Sequence, residues 1–407
     1  MIESISIKNY KSVVDVNIPV GRFNVIIGAN GSGKSNILEG IAMGAGACAN
    51  KLDFEYFANR GIRIVEPQLM LPAFEGVNAE KITIRTIHQI FTDSDNTNTN
   101  LDDLVLNISY NADAKPARWV VDSVDLNDFL KTLGKELTFN KSLATSNSTS
   151  LTELEDLKKI IAETEAKISS KFRVKKSHGH GTELMAVSPV LEQFLIYSLE
   201  ESVLRKADDS NKIYPLGRHG EGLFSYLKSL VQRPNGIEIF NEIKQSLRII
   251  DWFDDMEIPN GQLSMEYNLK VTDAYLSDMI NLFDQRSTNE GFLYLLFYLT
   301  LIISDETPKF FAIENIDTAF NPKLCREIVK ILIQLARKHD KQIIVTTHNA
   351  AILDGLNLHE NDVCLHVVRR TIDGYTTINK VSLKGQLDMP LSEAWLKGYI
   401  GGLPDNF

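Results

Sequence analysis

Residues Gly28-Ala29-Asn30-Gly31-Ser32-Gly33-Lys34-Ser35 fit the pattern G-x-x-x-x-G-K-[ST] at every fixed position. No other stretch constrains the fold as strongly. Its glycines let backbone N–H groups turn inward around phosphate oxygens, and a following helix adds partial positive charge at its N-terminus. The pattern has this meaning only between a strand and a helix. Phe23–Ile27 is a short apolar run, and Asn36–Met43 has a helical pattern. The expectation is a loop that binds ATP, with Lys34 neutralising the β and γ phosphates and Ser35 ligating Mg2+.

A length of 407 residues allows two or three domains at roughly 150 residues each. The 43% hydrophobic and 24% charged residues are those of a globular chain with ample core material. The net charge of −10 argues against a surface coated in nucleic acid, though not against a local basic groove. Cys48, Cys325 and Cys364 lie far apart and show no metal or redox spacing, which points to a reducing compartment. The first residues are charged and form no apolar signal core. The longest greasy run, Phe292–Ile303, is short of the ~20 residues that cross a bilayer and reads as a buried helix. A cytoplasmic protein is expected.

The chain divides by character. Residues 1–27 read as strands, and 80–125 as hairpins rich in β-branched residues. From 126 to 235 the pattern turns helical, with Leu151, Leu154, Leu157, Ile161 and Ile168 at three- and four-residue spacing. Two readings fit this stretch, a protruding antiparallel arm, with Pro189–Leu204 folding back on it, or an ordinary helical subdomain. From 236 the compact α/β pattern resumes, with a helix at 237–250 and a strand-like segment at 263–271. The expected division is 1–125, 126–235 and 236–407. The fold class is α/β, a P-loop ATPase head with an N-terminal antiparallel β lobe and an inserted helical arm.

Three further motifs follow the loop. Phe310-Phe311-Ala312-Ile313-Glu314-Asn315 is an apolar strand ending in an acid, the form of residue that holds a Mg2+ hydration shell. Gln342–His348 is a second apolar strand, ending in a histidine that can contact a γ-phosphate. Ser287-Thr288-Asn289-Glu290-Gly291 opens the apolar helix. A serine there is an ordinary cap, and with free N–H groups it is also an anion site.

Taken in order, these motifs resemble the ATP-binding cassette ATPases, in the branch containing SMC proteins and RecF. Asn9-Tyr10-Lys11-Ser12 looks like that branch's first turn, so Lys11 and Ser12 are expected near the nucleotide with Asn30, Gly31, Ser32, Gly33, Lys34, Ser35 and Asn36. The resemblance covers about 1–120 and 240–407. It implies a homodimer or higher homo-oligomer, in which ATP is sandwiched between one subunit's loop and Ser287 and Glu290 of the other.

The departures from the family pattern matter as much. Thr288 and Asn289 stand where both central signature glycines belong. The Q-loop is unassigned between Gln68 and Gln89. Aligning Glu314–Pro322 with D-E-P-E-x-x-L-H-P puts Glu314 at the Mg2+ acid and Asn315 at the catalytic glutamate. Asparagine takes no proton from water, so the expectation is tight binding and slow hydrolysis, with Lys34, Glu314, Asn315 and His348 the residues around the reaction. In the other register Glu314 is the base and Ile313 falls where the acid should be.

A finer resemblance rests on Gly46–Phe74, ENIDTAFNP, TTHNAAILDGL and the tail LSEAWLKGYIGGLPDNF. These look like ATPase subunits of bacterial anti-phage systems, AriA of PARIS first and PtuA of Septu next. It implies a sensor or scaffold that holds a nuclease effector of TOPRIM or HNH type and answers a phage trigger protein. Nucleic acid is an allowed partner but not a required one, and a membrane is not expected. The alternative is a DNA-clamping ATPase of the RecF or SMC kind. A transporter subunit fits poorly with the degenerate signature.

Weaker features carry less. Lys171, Arg173, Lys175 and Lys176, followed by His178 and His180, suggest nucleic-acid contact or metal, or only a solvated loop. Arg218–Gly222 reads as a turn or local contact. Trp119, Trp252 and Trp395 read as core or interface anchors, with Trp395 a candidate for the oligomer or partner interface.

Overall fold

A computed structural model describes every residue except 91–99, 115–116, 127–172, 177–183, 207–214, 260–268, 277–281, 285, 384–387 and 404–407. The strands run in chain order as β1 (Ile2–Tyr10), β2 (Val13–Pro19), β3 (Phe23–Ile27), β4 (Lys81–Ile90), β5 (Asn100–Asn111), β6 (Arg118–Leu126), β7 (Arg173–Lys176) and β8 (Leu184–Val187). There follow β9 (Ile196–Tyr197), β10 (Phe253–Glu257), β11 (Lys270–Asp273), β12 (Leu282–Asp284), β13 (Phe310–Ile313), β14 (Gln342–Thr346), β15 (Val363–Arg370) and β16 (Thr376–Lys380).

The main sheet has the order β16-β15-β3-β14-β13-β9. Five neighbouring strands are parallel, and β16 returns antiparallel to β15. A sheet covered on both faces needs apolar residues on both sides of each strand, which is why these segments read as continuous greasy runs. Phe23, Val25, Ile27, Phe311, Ile313, Ile343 and Val345 enter the core shared with helix Glu290–Ile303. Ile26, Phe310, Ala312 and Ile344 enter the opposite core, shared with Ile37, Leu38 and Ile41 of helix α1 (Lys34–Ala49).

Helix Glu290–Ile303 is buried from Gly291 to Ile303, so its all-round hydrophobicity reflects a central position. Among the described residues, no helix is long and apolar enough to cross a membrane. The N-terminal lobe is an antiparallel sheet, β2-β1-β4-β5-β6, packed on α1 through Ile5, Ile7, Ile82 and Ile84. The hairpin pattern of 80–125 is thereby β4, β5 and β6.

Residues 188–206 and 215–235 join the head. β9 pairs in parallel with β13, and Leu191 and Phe194 lie in the α1-side core. Leu223, Phe224, Leu227 and Leu230 of helix Leu223–Val231 fill the other core. Pro189–Leu204 therefore does not fold back on an arm, because its apolar groups are used at the sheet edge. The helical repeat at 151–168, Lys171 and the histidines at 178 and 180 lie outside the described residues. The helix expected at 237–250 is Gly236–Leu247. Of the strand-like segment 263–271, Lys270 and Val271 lie in β11, and 263–268 lies outside the described residues.

Trp119 and Trp395 are about 5% exposed or less and belong to the cores, as the core reading of these residues expects. The core position of Trp395 follows from the docking of the tail. Ser392 donates from its N–H and hydroxyl to Asp354, at 2.9 and 2.7 Å, beyond the end of β14.

Candidate active site

The loop between β3 and α1 is held in a wrap that glycine makes feasible. Gly33 has φ 108°, and a Cβ on it would lie 2.1 Å from Thr376 Oγ1. Thr376, on β16, donates its hydroxyl to Ser32 O at 3.0 Å, shares a 2.7 Å hydrogen bond with Ser12 Oγ, and donates its N–H to Ser12 O at 2.8 Å. Arg370 Nε donates to Gly31 O at 3.0 Å. The β15–β16 hairpin thus clamps the apex of the loop.

Inside the wrap, Lys34 Nζ donates to the carbonyls of Gly28 and Ala29 at 2.8 and 3.1 Å. Burial pushes its pKa down to about 8, against the pull of Glu314. A cation held by its own loop's carbonyls, in partial burial, fits a polyphosphate, whose charge would reverse that shift. The hydroxyl of Ser32 is buried and without a partner.

Ser35 Oγ donates to Glu314 Oε1 at 2.5 Å. The loop serine and the acid ending β13 are therefore adjacent. An oxygen pair of this kind, open to one cavity, suits a hard divalent cation such as Mg2+. The next residue, Asn315, takes φ 52°, a left-handed conformation that asparagine adopts more readily than most residues. Its N–H donates to Thr346 Oγ1 at 2.9 Å, and its carbonyl accepts from Thr318 N and Oγ1. Thr347 Oγ1 donates to Asp317 at 2.6 Å, fixing the end of β14 to the same turn.

A cavity of about 290 Å³ is lined by Asn30, Gly31, Gly33, Lys34, Ser35, Asn36, Glu314, Asn315 and His348. Residues from three separate motifs thus meet at the carboxyl ends of β3, β13 and β14, where open α/β sheets bind ligands. His348 is lowered in pKa by its partial enclosure and by Lys34, with Asp317 opposing. A neighbouring compartment of about 360 Å³ is lined by Lys11, Ser12, Val65, Leu71 and Phe74, and shares Asn36, Arg63 and Arg370 with the first.

Three residues at this site lie outside the sequence motifs: Arg63, Arg370 and Thr376. Glu39 organises one of them. It is 2% exposed, accepts from Tyr10 OH at 3.1 Å and Arg63 Nε at 2.5 Å, and pairs with Lys11. Arg63 also donates to Asn36 Oδ1 at 2.7 Å. A glutamate one turn past Ser35 on the buried face of a helix was the available signal for this network.

Ser287 and Glu290 stand apart from the cavity. Ser287 is exposed and donates to Asp284 Oδ1 at 2.8 Å, while Asn289 caps the helix by accepting from Gly291 N. Arg205 donates to the carbonyls of Arg286 and Thr288, bracing this turn. Glu290 is raised in pKa by burial and by Glu201.

Residues 23–354 match the family model described as "AAA domain, putative AbiEii toxin, Type IV TA system". The chain belongs to this family. No curated protein sequence matches it. Among solved structures it is similar to an Smc head bound to the C-winged helix domain of ScpA, at TM-score 0.54 and 15% identity over 94% of this chain and 98% of that one. It also matches the SMC head domain from Thermotoga maritima, at TM-score 0.44 and 14% identity over 94% and 99%. The first of these likenesses shows the fold, that of an SMC-like P-loop ATPase head. The family accounts for the loop, and its members are nucleotide-using ATPases.

Proposed function

We propose that the chain is an ATP-loaded switch, which binds Mg–ATP tightly, hydrolyses it slowly and assembles with a second copy of itself. The observation that carries this reading is the 2.5 Å bond between Ser35 and Glu314, with Asn315 next in line on the cavity wall. It favours the register in which Glu314 serves Mg2+, leaving an amide where a general base is needed. Base assistance contributes about 10²–10⁴-fold to such reactions. In this reading Mg2+, held by Ser35 and Glu314, supplies charge neutralisation at the phosphates. Lys34 and the loop N–H groups bind the β and γ phosphates, Asn30, Asn36 and His348 line their surroundings, and Lys11 and Ser12 flank the adjoining compartment.

The exposed position of Ser287, away from the cavity of its own chain, supports a role in the site of a second copy. ATP would then stabilise the assembled form, since a ligand favours only the state it binds better. The family's association with toxin–antitoxin systems supports a place in anti-phage defence, of the kind suggested by the likeness to AriA and PtuA. There the loaded oligomer would hold an effector nuclease and release or activate it when a phage trigger appears. In this reading the head is formed by 1–125 and 236–407, joined by the described parts of 188–235 that pack on it. A DNA-clamping role has the fold likeness on its side but a chain of net charge −10 against it.

The deciding experiment is co-purification of the tagged chain with the product of a neighbouring nuclease-like gene, repeated with Lys34→Ala. Loss of the complex, or of its response to infection, is expected in the variant. A complex and response that survive unchanged refute the switch. Salt-dependent DNA binding without any partner would favour the clamp instead.

A further inference from the structure

A cavity larger than either compartment of the site above lies outside it. It measures about 880 Å³ and opens beside β9, at the edge of the main sheet. Its walls come from the turn after α1 (58–64), from 193–197, and from 215–219. We propose that this cavity is a second ligand site, which takes a small phosphate-bearing molecule of nucleotide size.

Its lining carries two guanidinium groups, Arg60 and Arg218, and two carboxylates, Glu221 and Glu306. Arg60 and Arg218 both line it, and among the described residues neither has an ion-pair partner. Arg218 is half-buried, donates once from a terminal nitrogen to Ala58 O at 3.2 Å, and keeps Nε buried without a partner. A guanidinium has five donors in a rigid fork that matches phosphate oxygens, and leaving them unmet in partial burial is costly. Burial accordingly depresses the pKa of Arg218, with the fields of Glu314, Glu221 and Glu200 opposing from beyond bonding distance. Arg60 lies over the Tyr56 ring and donates to the carbonyls of Gln193 and Phe194 at 2.9 and 3.0 Å.

The acids on the walls are already engaged. Glu221 accepts from His219 N at 2.9 Å, and Glu306 pairs with Arg233. The cavity therefore brings together two guanidinium groups without ion-pair partners, that of Arg218 with donors unmet, beside Ile62, Leu195 and Leu216 as apolar walls. That is the composition of a pocket for a ligand with an anionic end and an apolar or aromatic body. Gly61, at φ 87°, lets the backbone approach Arg218 Cζ, which would lie 3.4 Å from a Cβ at this position.

The test uses the full chain with its first site filled by one equivalent of a non-hydrolysable Mg–ATP analogue, so that no excess analogue competes for the second. Inorganic pyrophosphate and AMP are titrated in by calorimetry. One further saturable site with Kd below about 1 mM is expected. Arg218→Gln and Arg60→Gln should each weaken it about 10- to 100-fold, the worth of a charge-assisted contact. Arg218→Lys should fall between, because it keeps the charge and loses the fork. Arg326→Gln, on the exposed face of helix Pro322–Lys338, should change nothing. Should Arg218→Gln fail to fold, Arg60→Gln and Arg218→Lys carry the comparison. Absence of a second saturable site, or binding unchanged within twofold in the folded variants, overturns the proposal. So does single-stranded oligonucleotide binding that depends on Arg218 and is not displaced by pyrophosphate.

Discussion

Asn315→Glu should accelerate ATP hydrolysis about 100-fold. The side chain at this position lines the cavity holding Lys34, Ser35, Glu314 and His348. Its main chain is pinned at both ends, by Thr346 Oγ1 on the N–H and by Thr318 on the carbonyl. A glutamate would therefore start from the same backbone and extend one methylene further. General-base help contributes about 10²–10⁴-fold, or roughly 2.7–5.4 kcal/mol of barrier at 1.36 kcal/mol per tenfold. Two costs oppose it. At φ 52° glutamate is strained relative to asparagine, by roughly 1 kcal/mol. A second carboxylate beside Glu314 adds repulsion of about 1–4 kcal/mol at 4 Å, according to the local dielectric. Both costs fall mainly on the folded, metal-free state, and bound Mg2+ offsets the second. The repulsion also raises the new carboxyl pKa toward the range of a working base. We therefore place the gain near the lower end of the range and expect a melting temperature a few degrees lower. The assay is single-turnover phosphate release at saturating Mg–ATP, across protein concentrations that span assembly, with Asn315→Gln as the control for size. A wild-type rate near the median enzyme value of about 10 s⁻¹ would refute the reasoning. So would an Asn315→Glu chain that binds ATP and turns over within threefold of wild type.

Other consequences follow from the same geometry. Lys34 titrates near 8 in the free loop and should be held protonated by phosphate. Between pH 8 and the raised value of the complex, binding takes up a proton, so affinity should weaken by up to tenfold per pH unit. Calorimetry in buffers of different ionisation enthalpy should report that uptake, and a flat profile from pH 7 to 10 would contradict it. Thr376→Val removes hydrogen bonds to Ser12 and Ser32 O while keeping the shape, and should cost about 1–3 kcal/mol in chemical denaturation and loosen ATP binding. Ser287→Arg should abolish ATP-dependent assembly by sedimentation while leaving nucleotide affinity of the single chain within a few-fold. Glu39→Gln unpairs Lys11 and Arg63 together, so nucleotide affinity should fall more than in Arg63→Gln alone.

The motifs were legible because each is local. A glycine at φ 108°, a strand ending in an acid and a strand ending in a histidine are properties of short windows. Their meeting at one cavity follows from the parallel order β3-β14-β13, since parallel neighbours end at the same edge. Helix Glu290–Ile303 was legible from hydrophobicity alone. Pro189–Leu204 was misread because a two-residue strand leaves no periodicity to count. Ile196 and Tyr197 are strand only by virtue of pairing with Ala312 and Ile313. The choice between core and interface for Trp395 was open in the sequence for a similar reason, since a short helix Leu391–Leu396 is buried only by the core it meets.

The sequence by itself determined the phosphate loop, the identity of Glu314 and Asn315 at the end of β13, and the α/β class. All of these are written in residues close together in the chain. Only the tertiary structure decided which residues surround the loop. Thr376 comes from more than three hundred residues away, and its clamp on Ser32 explains why position 33 accepts only glycine. Glu39, Arg63 and Lys11 form a network because a buried carboxylate must find cations wherever the fold brings them. The unpaired guanidinium groups of Arg60 and Arg218 became visible in the same way, since charge balance in a cavity is a property of space and not of chain order.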